Sequence, residues 1–222
     1  MRQTSARSAK IPTGRRLQPQ ARREQIVAAA VELITQQGLA FSTRELARRL
    51  TISHPLLFRY FQSKEDILDA VYEGVFLGRY TAELRSMIKE ESTDPVKKWS
   101  RFYAMYFPKI YDETWIRVFA ASAFSNEAIS RRYLRNVVEP LVEQLAIDTE
   151  RHVLGAPSEQ PSVRDLSRDL AWMLHSSFFY TGVRRWIFQL PVPKDVGAFV
   201  SARVESHFTG AKAALGRRSA PS

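Results

Sequence analysis

The stretch FSTRELARRLTISHPLLFRYFQSKEDIL, residues 41–68, decides the fold. It opens with Ser42-Thr43-Arg44-Glu45, a pattern in which the serine accepts from the amide three residues on and the glutamate reaches back, so a helix starts there. Leu46 and Leu50 fall on one side of that short helix, which ends near Thr51. Ser53 caps a second short helix with Pro55 in its first turn, where the missing N–H does no harm, and with Leu57 and Phe61 four apart on one face. A third cap at Ser63-Lys64-Glu65-Asp66 opens a long helix whose apolar residues Ile67, Val71 and Val75 lead toward Ile88, over about 64–89. Two short helices joined by a turn of about three residues, with Arg44, Arg48, His54 and Arg59 on their outer faces, have the layout of a helix-turn-helix.

Upstream, Ile26, Ala30, Leu33 and Ile34 recur at helical spacing until Gly38, which predicts a helix over about 22–37. Downstream, Asp94-Pro95 starts a helix through Trp99, Phe102, Tyr106 and Ile110, and a shorter one runs from about Glu113 to Phe124. A long charged helix is expected from Asn126 to Leu154, kinked at Pro140. After a Pro/Ser/Gly-rich loop, 155–162, two last helices cover about 163–189 and 194–213. No stretch alternates with period two over six residues, so the fold class is all-α. The expected organisation is a mobile basic arm (1–20), a helix-turn-helix domain (21–68), a helical ligand-binding and dimerisation domain (69–215) and a tail (216–222).

The net charge of +10 is uneven: residues 1–70 hold 12 Lys/Arg against 6 Asp/Glu, and seven of those cations precede the first acid, Glu24. That concentration suits contact with nucleic-acid phosphates, to which the arm adds salt-sensitive attraction or a minor-groove reach. With no cysteine, disulfides, thiolate metal sites and cysteine nucleophiles are excluded. There is no apolar run of 18 residues and no apolar stretch behind the N-terminal charges, so neither a membrane span nor a signal peptide is expected and the chain is placed in the cytoplasm. His54, His152, His175 and His207 are scattered, and no phosphate-cradling glycine motif or nucleophile elbow occurs. No catalytic residue, metal or cofactor is expected, and a small-molecule enzyme stands only as the alternative from a different class.

A reading helix must be supported from inside, here by Leu57 and Phe61, while its N-terminal and outer residues meet base edges in the major groove. His54, Leu56, Phe58 and Arg59 are the outward candidates for base contacts. The free amides at Thr43, with Arg44, Ser53, Tyr60 and Lys64, are the candidates for contacts to the DNA backbone. The run 41–68, behind an Ala-rich helix ending in Gly38, resembles the N-terminal domain of TetR-family transcriptional regulators, most strongly in Leu57-Phe58-Arg59-Tyr60-Phe61 with Lys64-Glu65 and Leu68. The resemblance covers about 22–70 and implies a sequence-specific DNA-binding regulator, a repressor released from a palindromic operator by a small, largely apolar effector. It places Thr43, Ser53, Tyr60 and Lys64 on backbone-contacting positions and His54, Leu56, Phe58 and Arg59 on groove-facing ones. The family often has glycine where this chain has Thr51, and tyrosine where it has Phe58, so no contact through a hydroxyl carries over at the latter.

Aromatic residues concentrate in the second half, where a concave apolar pocket with few polar groups is expected. Trp99, Tyr103, Tyr106, Trp172, His175 and Phe179 are its candidate lining, because polar tips sit there among apolar bodies. On the final helix, Gly197, Ala198, Ser201 and Ala202 allow close approach of another helix, which suits a symmetric four-helix interface with residues 163–189 in a homodimer.

Overall fold

The computed structural model describes residues 18–123 and 129–218, and these form helices and turns without a strand among them. The first helix, α1 (Pro19–Gln37), starts three residues earlier than the apolar period predicts, because Pro19 fits a first turn whose N–H groups have no partner anyway. Residues 18–20 therefore belong to the folded head, and the rest of the predicted arm, 1–17, lies outside the described residues. Gly38, at φ 76°, ends α1, and a 3-10 turn (Gly38–Ala40) leads to α2 (Thr43–Arg49).

Serine caps set the next three starts. Ser42 accepts from Glu45 N–H, Ser53 from Leu56 N–H ahead of α3 (His54–Phe58), and Ser63 from Asp66 N–H ahead of α4 (Lys64–Val71). Each such cap contributes about 1 kcal/mol. The reciprocal half of the pattern differs at the first cap, where the Glu45 carboxylate accepts from Gln37 Nε2 at 2.9 Å and so ties α2 to the end of α1. Between α2 and α3, Thr51 N–H donates to Arg48 O and Ile52 N–H to Ala47 O, the two bonds that close a helix around a left-handed residue. That residue is Thr51, at φ 53°. A β-branched residue in this region costs about 1–2 kcal/mol, which the paired carbonyls and the buried residues on either side must offset.

The long helix expected over 64–89 is broken. A π turn (Tyr72–Phe76) and a 3-10 turn (Leu77–Arg79) follow α4, and a new helix, α5 (Ala82–Lys89), begins after Thr81, whose hydroxyl accepts from Leu84 N–H. Thr81 caps a helix of its own, and this local bond competes with continuation of the preceding one. Next come α6 (Pro95–Ile110), capped by Asp94, and α7 (Glu113–Ala123). The predicted boundaries at Phe124 and Asn126 lie outside the described residues. The helix expected from there to Leu154 is α8 (Ile129–Tyr133), a π turn (Leu134–Val138) and α9 (Glu139–Leu154), so Pro140 sits in the first turn of α9 and the wide turn before it absorbs the missing donor. The chain ends with α10 (Pro161–Trp186) and α11 (Val196–Arg218), so the helix continues through the first three residues assigned to the tail.

The four helices α6, α9, α10 and α11 pack on one another, and α7 bridges α10 to α1 of the N-terminal head. At that bridge a Cβ on Gly182 would lie 2.6 Å from Ile116 Cδ1, so the missing side chain lets α10 approach α7 closely. One apolar core runs through both halves, from Ile26, Leu46 and Leu57 to Phe102, Phe178 and Val204. No helix of the described residues is long and apolar enough to cross a membrane.

Candidate functional site

The inner face of the two short helices is closed. Leu46 and Leu57 are wholly buried and Phe61 nearly so, while Phe58 is 38% exposed and Arg59 is exposed beside it. The outer face carries three cations, Arg44, Arg48 and Arg59, that make no ion pair among the described residues. Arg49, one position on from Arg48, behaves differently: it pairs with Glu32 at 2.7 Å and fastens α2 to α1. Positive charge is thus left free on the side that faces away from the core and neutralised on the flank.

The other expected contact residues divide. His54 is half-buried, with Nε2 at 2.9 Å from Thr43 Oγ1 and its ring edge-on to Phe58 at 4.8 Å, so three candidates from two helices form one local assembly. Leu56 and Tyr60 are half-buried; Ser53 keeps its hydroxyl hydrogen while its oxygen caps α3. The Lys64 ammonium donates to Leu39 O at 2.5 Å and sits 5.0 Å above the Phe41 ring, so part of its donor capacity holds the 3-10 turn after α1. Sequence reasoning missed Arg23, whose guanidinium lies 4.1 Å over the Phe61 ring and donates to Tyr60 O, locking α1 to the turn after α3. Nothing local in the sequence signals a bond over 37 positions.

In the second half, the expected pocket residues part company. Tyr103, Tyr106 and His175 meet in a sealed cluster: Tyr103 OH lies 3.3 Å from His175 Nδ1, Tyr111 OH 3.3 Å from His175 Nε2, and Tyr106 OH 2.8 Å from Tyr133 OH. Tyr103 stacks on Phe178 at 4.4 Å. Trp99 is turned elsewhere, its Nε1 donating to Asp148 at 3.0 Å. Phe179 is half-buried against Trp115 and Phe119, and Trp172 is half-buried in a separate cleft with Arg168 and Pro140. Trp115 Nε1, on a residue 2% exposed, is a buried polar atom with no hydrogen-bond partner among the described residues, as is Tyr72 OH beside Phe76. The segment leading out of the N-terminal head touches the same cluster, with Phe76 at 5.2 Å from Trp115 and 5.3 Å from Tyr133.

Burial keeps the cluster uncharged. It pushes the phenols of Tyr106, Tyr111 and Tyr133 well above the usual range, and it lowers His175 to about 4. His207, bonded through Nε2 to Thr149 Oγ1, is also lowered to about 4 by burial. Both imidazoles take up a proton near pH 6.5 when unfolded but only near pH 4 when folded, so the unfolded chain binds more protons between those values and stability falls as pH drops through that window. At pH 5 the loss is about 2 kcal/mol for each histidine. Urea denaturation of the protein at pH 7.5, 6 and 5 should show this fall, and His175→Gln with His207→Gln should flatten it; an unchanged slope in the double variant would locate the acid sensitivity elsewhere.

The family model described as bacterial regulatory proteins, tetR family, matches residues 26–71, which span most of α1 through α4. The chain is 30% identical over 158 residues to the tetracycline repressor protein class G of Vibrio anguillarum, covering 61% of this chain and 75% of that protein. Among solved structures, a TetR-like transcriptional regulator from Rhodococcus sp. RHA1 superposes with a TM-score of 0.64 at 17% identity, covering 88% of this chain and 100% of the other. The transcriptional regulator FadR from Bacillus subtilis, in complex with stearoyl-CoA, gives 0.59 at 18% identity, over 84% of this chain and 98% of its own. Identities this low carry the fold alone.

Proposed function

We propose, from the premise that the chain belongs to the TetR family of bacterial regulatory proteins, that this DNA-binding regulator is a repressor released from a palindromic operator by a small, largely apolar effector. The observation that carries the DNA half is the exposed, unpaired set Arg44, Arg48 and Arg59 around a capped five-residue helix whose inner side is fully packed. In this reading His54, Leu56, Phe58 and Arg59 meet base edges, and Thr43, Arg44, Ser53, Tyr60 and Lys64 hold phosphates. The Thr43–His54 bond fixes the imidazole, so His54 presents one constrained edge to the groove.

Two copies are needed, since one five-residue helix reads too few base pairs for useful specificity, whereas a two-fold pair reads two half-sites about one helical turn apart or more. The exposed faces of α10 and α11 suit that pairing. Met173 and Tyr180 on α10 and Ile187 just past its end recur every seven residues, with Met173 68% and Tyr180 57% exposed, and Ala198, Ala202, Ser206 and Gly210 form an exposed row of small residues on α11. Gly197 is exposed and Ser201 half-buried at the margin of that row.

Release requires an effector with different affinity for the DNA-bound and free geometries. The coupling runs through α7, which touches α1 on one side and α10 on the other, and through Arg132, which bonds Asp69 at 2.6 Å and lies 4.1 Å over Tyr72. The stearoyl-CoA held by the Bacillus subtilis protein is one precedent for a ligand with a long apolar chain in this fold.

The test is Arg59→Ala against a duplex that the wild-type protein selects from a random pool. A groove-facing arginine is worth about 1–3 kcal/mol of discrimination, so affinity for the selected duplex should fall about 5- to 150-fold while affinity for random duplex changes little. Equal losses on both duplexes would make Arg59 a phosphate contact.

A further inference from the structure

A cleft of about 550 Å³ lies where the ends of α6 and α10 meet the start of α11, within the 300–1,000 Å³ range of small-molecule sites. Its walls are rings: Phe107, Trp186 and Phe199. Its charges are Arg185, Lys194 and Asp112. The acid is already engaged, since the Asp112 carboxylate takes Arg79 as an ion-pair partner and accepts from Trp115 N–H at 2.8 Å. Neither Arg185 nor Lys194 has a carboxylate partner among the described residues. The Arg185 guanidinium rests 4.4 Å over the Trp186 ring, which aligns a bidentate donor with an apolar surface.

The surroundings are held in place. Trp186 Nε1 donates to Tyr111 O at 3.0 Å, Arg117 donates to Trp186 O at 2.9 Å, and Arg184 donates to Pro191 O at 2.7 Å, which braces the connection carrying Lys194. Tyr111 lines the cleft, and its hydroxyl bonds His175 in the sealed cluster, so an occupant presses on the residue that separates the cleft from the buried rings.

We infer that this cleft binds an amphipathic organic anion, its apolar body against Phe107, Trp186 and Phe199 and its carboxylate at Arg185 and Lys194. The inference deepens the reading of the second half as an effector domain and rests on it for its regulatory meaning, but binding itself is measured without DNA. Charge complementarity selects the ligand class: two free cations above aromatic walls favour an acid over a neutral molecule of the same shape.

Purified full-length protein is titrated with 4-phenylbutyrate, 2-naphthylacetate and decanoate, each beside its primary amide, by calorimetry and tryptophan fluorescence. At least one acid should saturate a single site at least tenfold more tightly than its amide. Arg185→Gln with Lys194→Gln, both exposed positions, should weaken the acid at least tenfold and leave the amide unchanged. Three results would overturn the inference: no acid binding saturably, acid and amide binding alike, or the double variant binding the acid as the wild type does. Operator release is read separately. An acid that binds here without releasing DNA supports the cleft and overturns the effector reading, whereas release by some other molecule with no acid bound does the reverse.

Discussion

Arginine at both Ala198 and Ala202 should yield a protein that sediments as a monomer, keeps its helical circular dichroism and loses operator affinity by about 100-fold or more. Both positions are exposed in the single chain, so the substitutions leave its own core untouched. They stand on the outer row of α11, four residues apart, and the same row's Ser206 and Gly210 share a cleft with Met173 of α10. In a close helix–helix contact an unpaired buried charge costs several kcal/mol, and each 1.4 kcal/mol is about tenfold in association. On a solvent-facing stripe the same changes stay within about half a kcal/mol. Analytical ultracentrifugation decides between these outcomes, and a well-folded dimer with normal operator affinity would rule out this face. Met173→Asp is the companion test on α10 and should act in the same direction.

Asp148→Ala should destabilise the protein by about 3–5 kcal/mol, a large part of the 5–15 kcal/mol that holds a typical domain. Asp148 and Lys98 form a buried pair at 2.7 Å, with the lysine side chain only 2% exposed. The carboxylate also accepts from Trp99 Nε1 and Gln144 Nε2, and the ammonium donates to Ile88 O at 3.0 Å. This one group joins the end of α5, the start of α6 and the middle of α9. Deleting the acid strands a desolvated ammonium on a single carbonyl, whereas replacing both partners, Lys98→Met with Asp148→Leu, removes the stranded charge and should recover most of the loss. Urea midpoints of the two variants make the comparison, and equal destabilisation would mean that packing volume and not charge dominates the site.

That pair also marks where sequence reading stops. The caps at Ser42, Ser53 and Ser63 are local, each serine meeting an amide three residues on, so the head could be read from spacing alone. Lys98 and Asp148 are 50 positions apart, and a lone lysine on a helix reads as a solvated charge until its partner is located. The break at Thr81 was hidden because apolar residues continue on both sides of it. In the second half, the period brought Tyr103, Tyr106 and His175 inward, but whether buried rings leave a space between them depends on how their shapes fit. They fit closely, and an open cleft lies one wall away, beyond Tyr111. The proposed pairing face was half legible: on α11 the small residues Gly197, Ala198, Ser201 and Ala202 could be named, whereas on the preceding helix only the span 163–189 could be, with no single residue within it.

The π turn at Tyr72–Phe76 lies in the connection that joins the DNA-facing head to the aromatic core, and opposite it, across Arg132 and Tyr133, runs the second π turn at Leu134–Val138. Such a turn is an α-helix with one residue too many, and that surplus behaves like a dislocation in a crystal row. Sliding it along the helix leaves both ends well ordered but advances the screw between its old and new positions by one residue, which amounts to about 100° and 1.5 Å. Two such surplus residues stand where the head meets the aromatic core, and an advance of either by one residue would turn the helix beyond it by that amount without bending it.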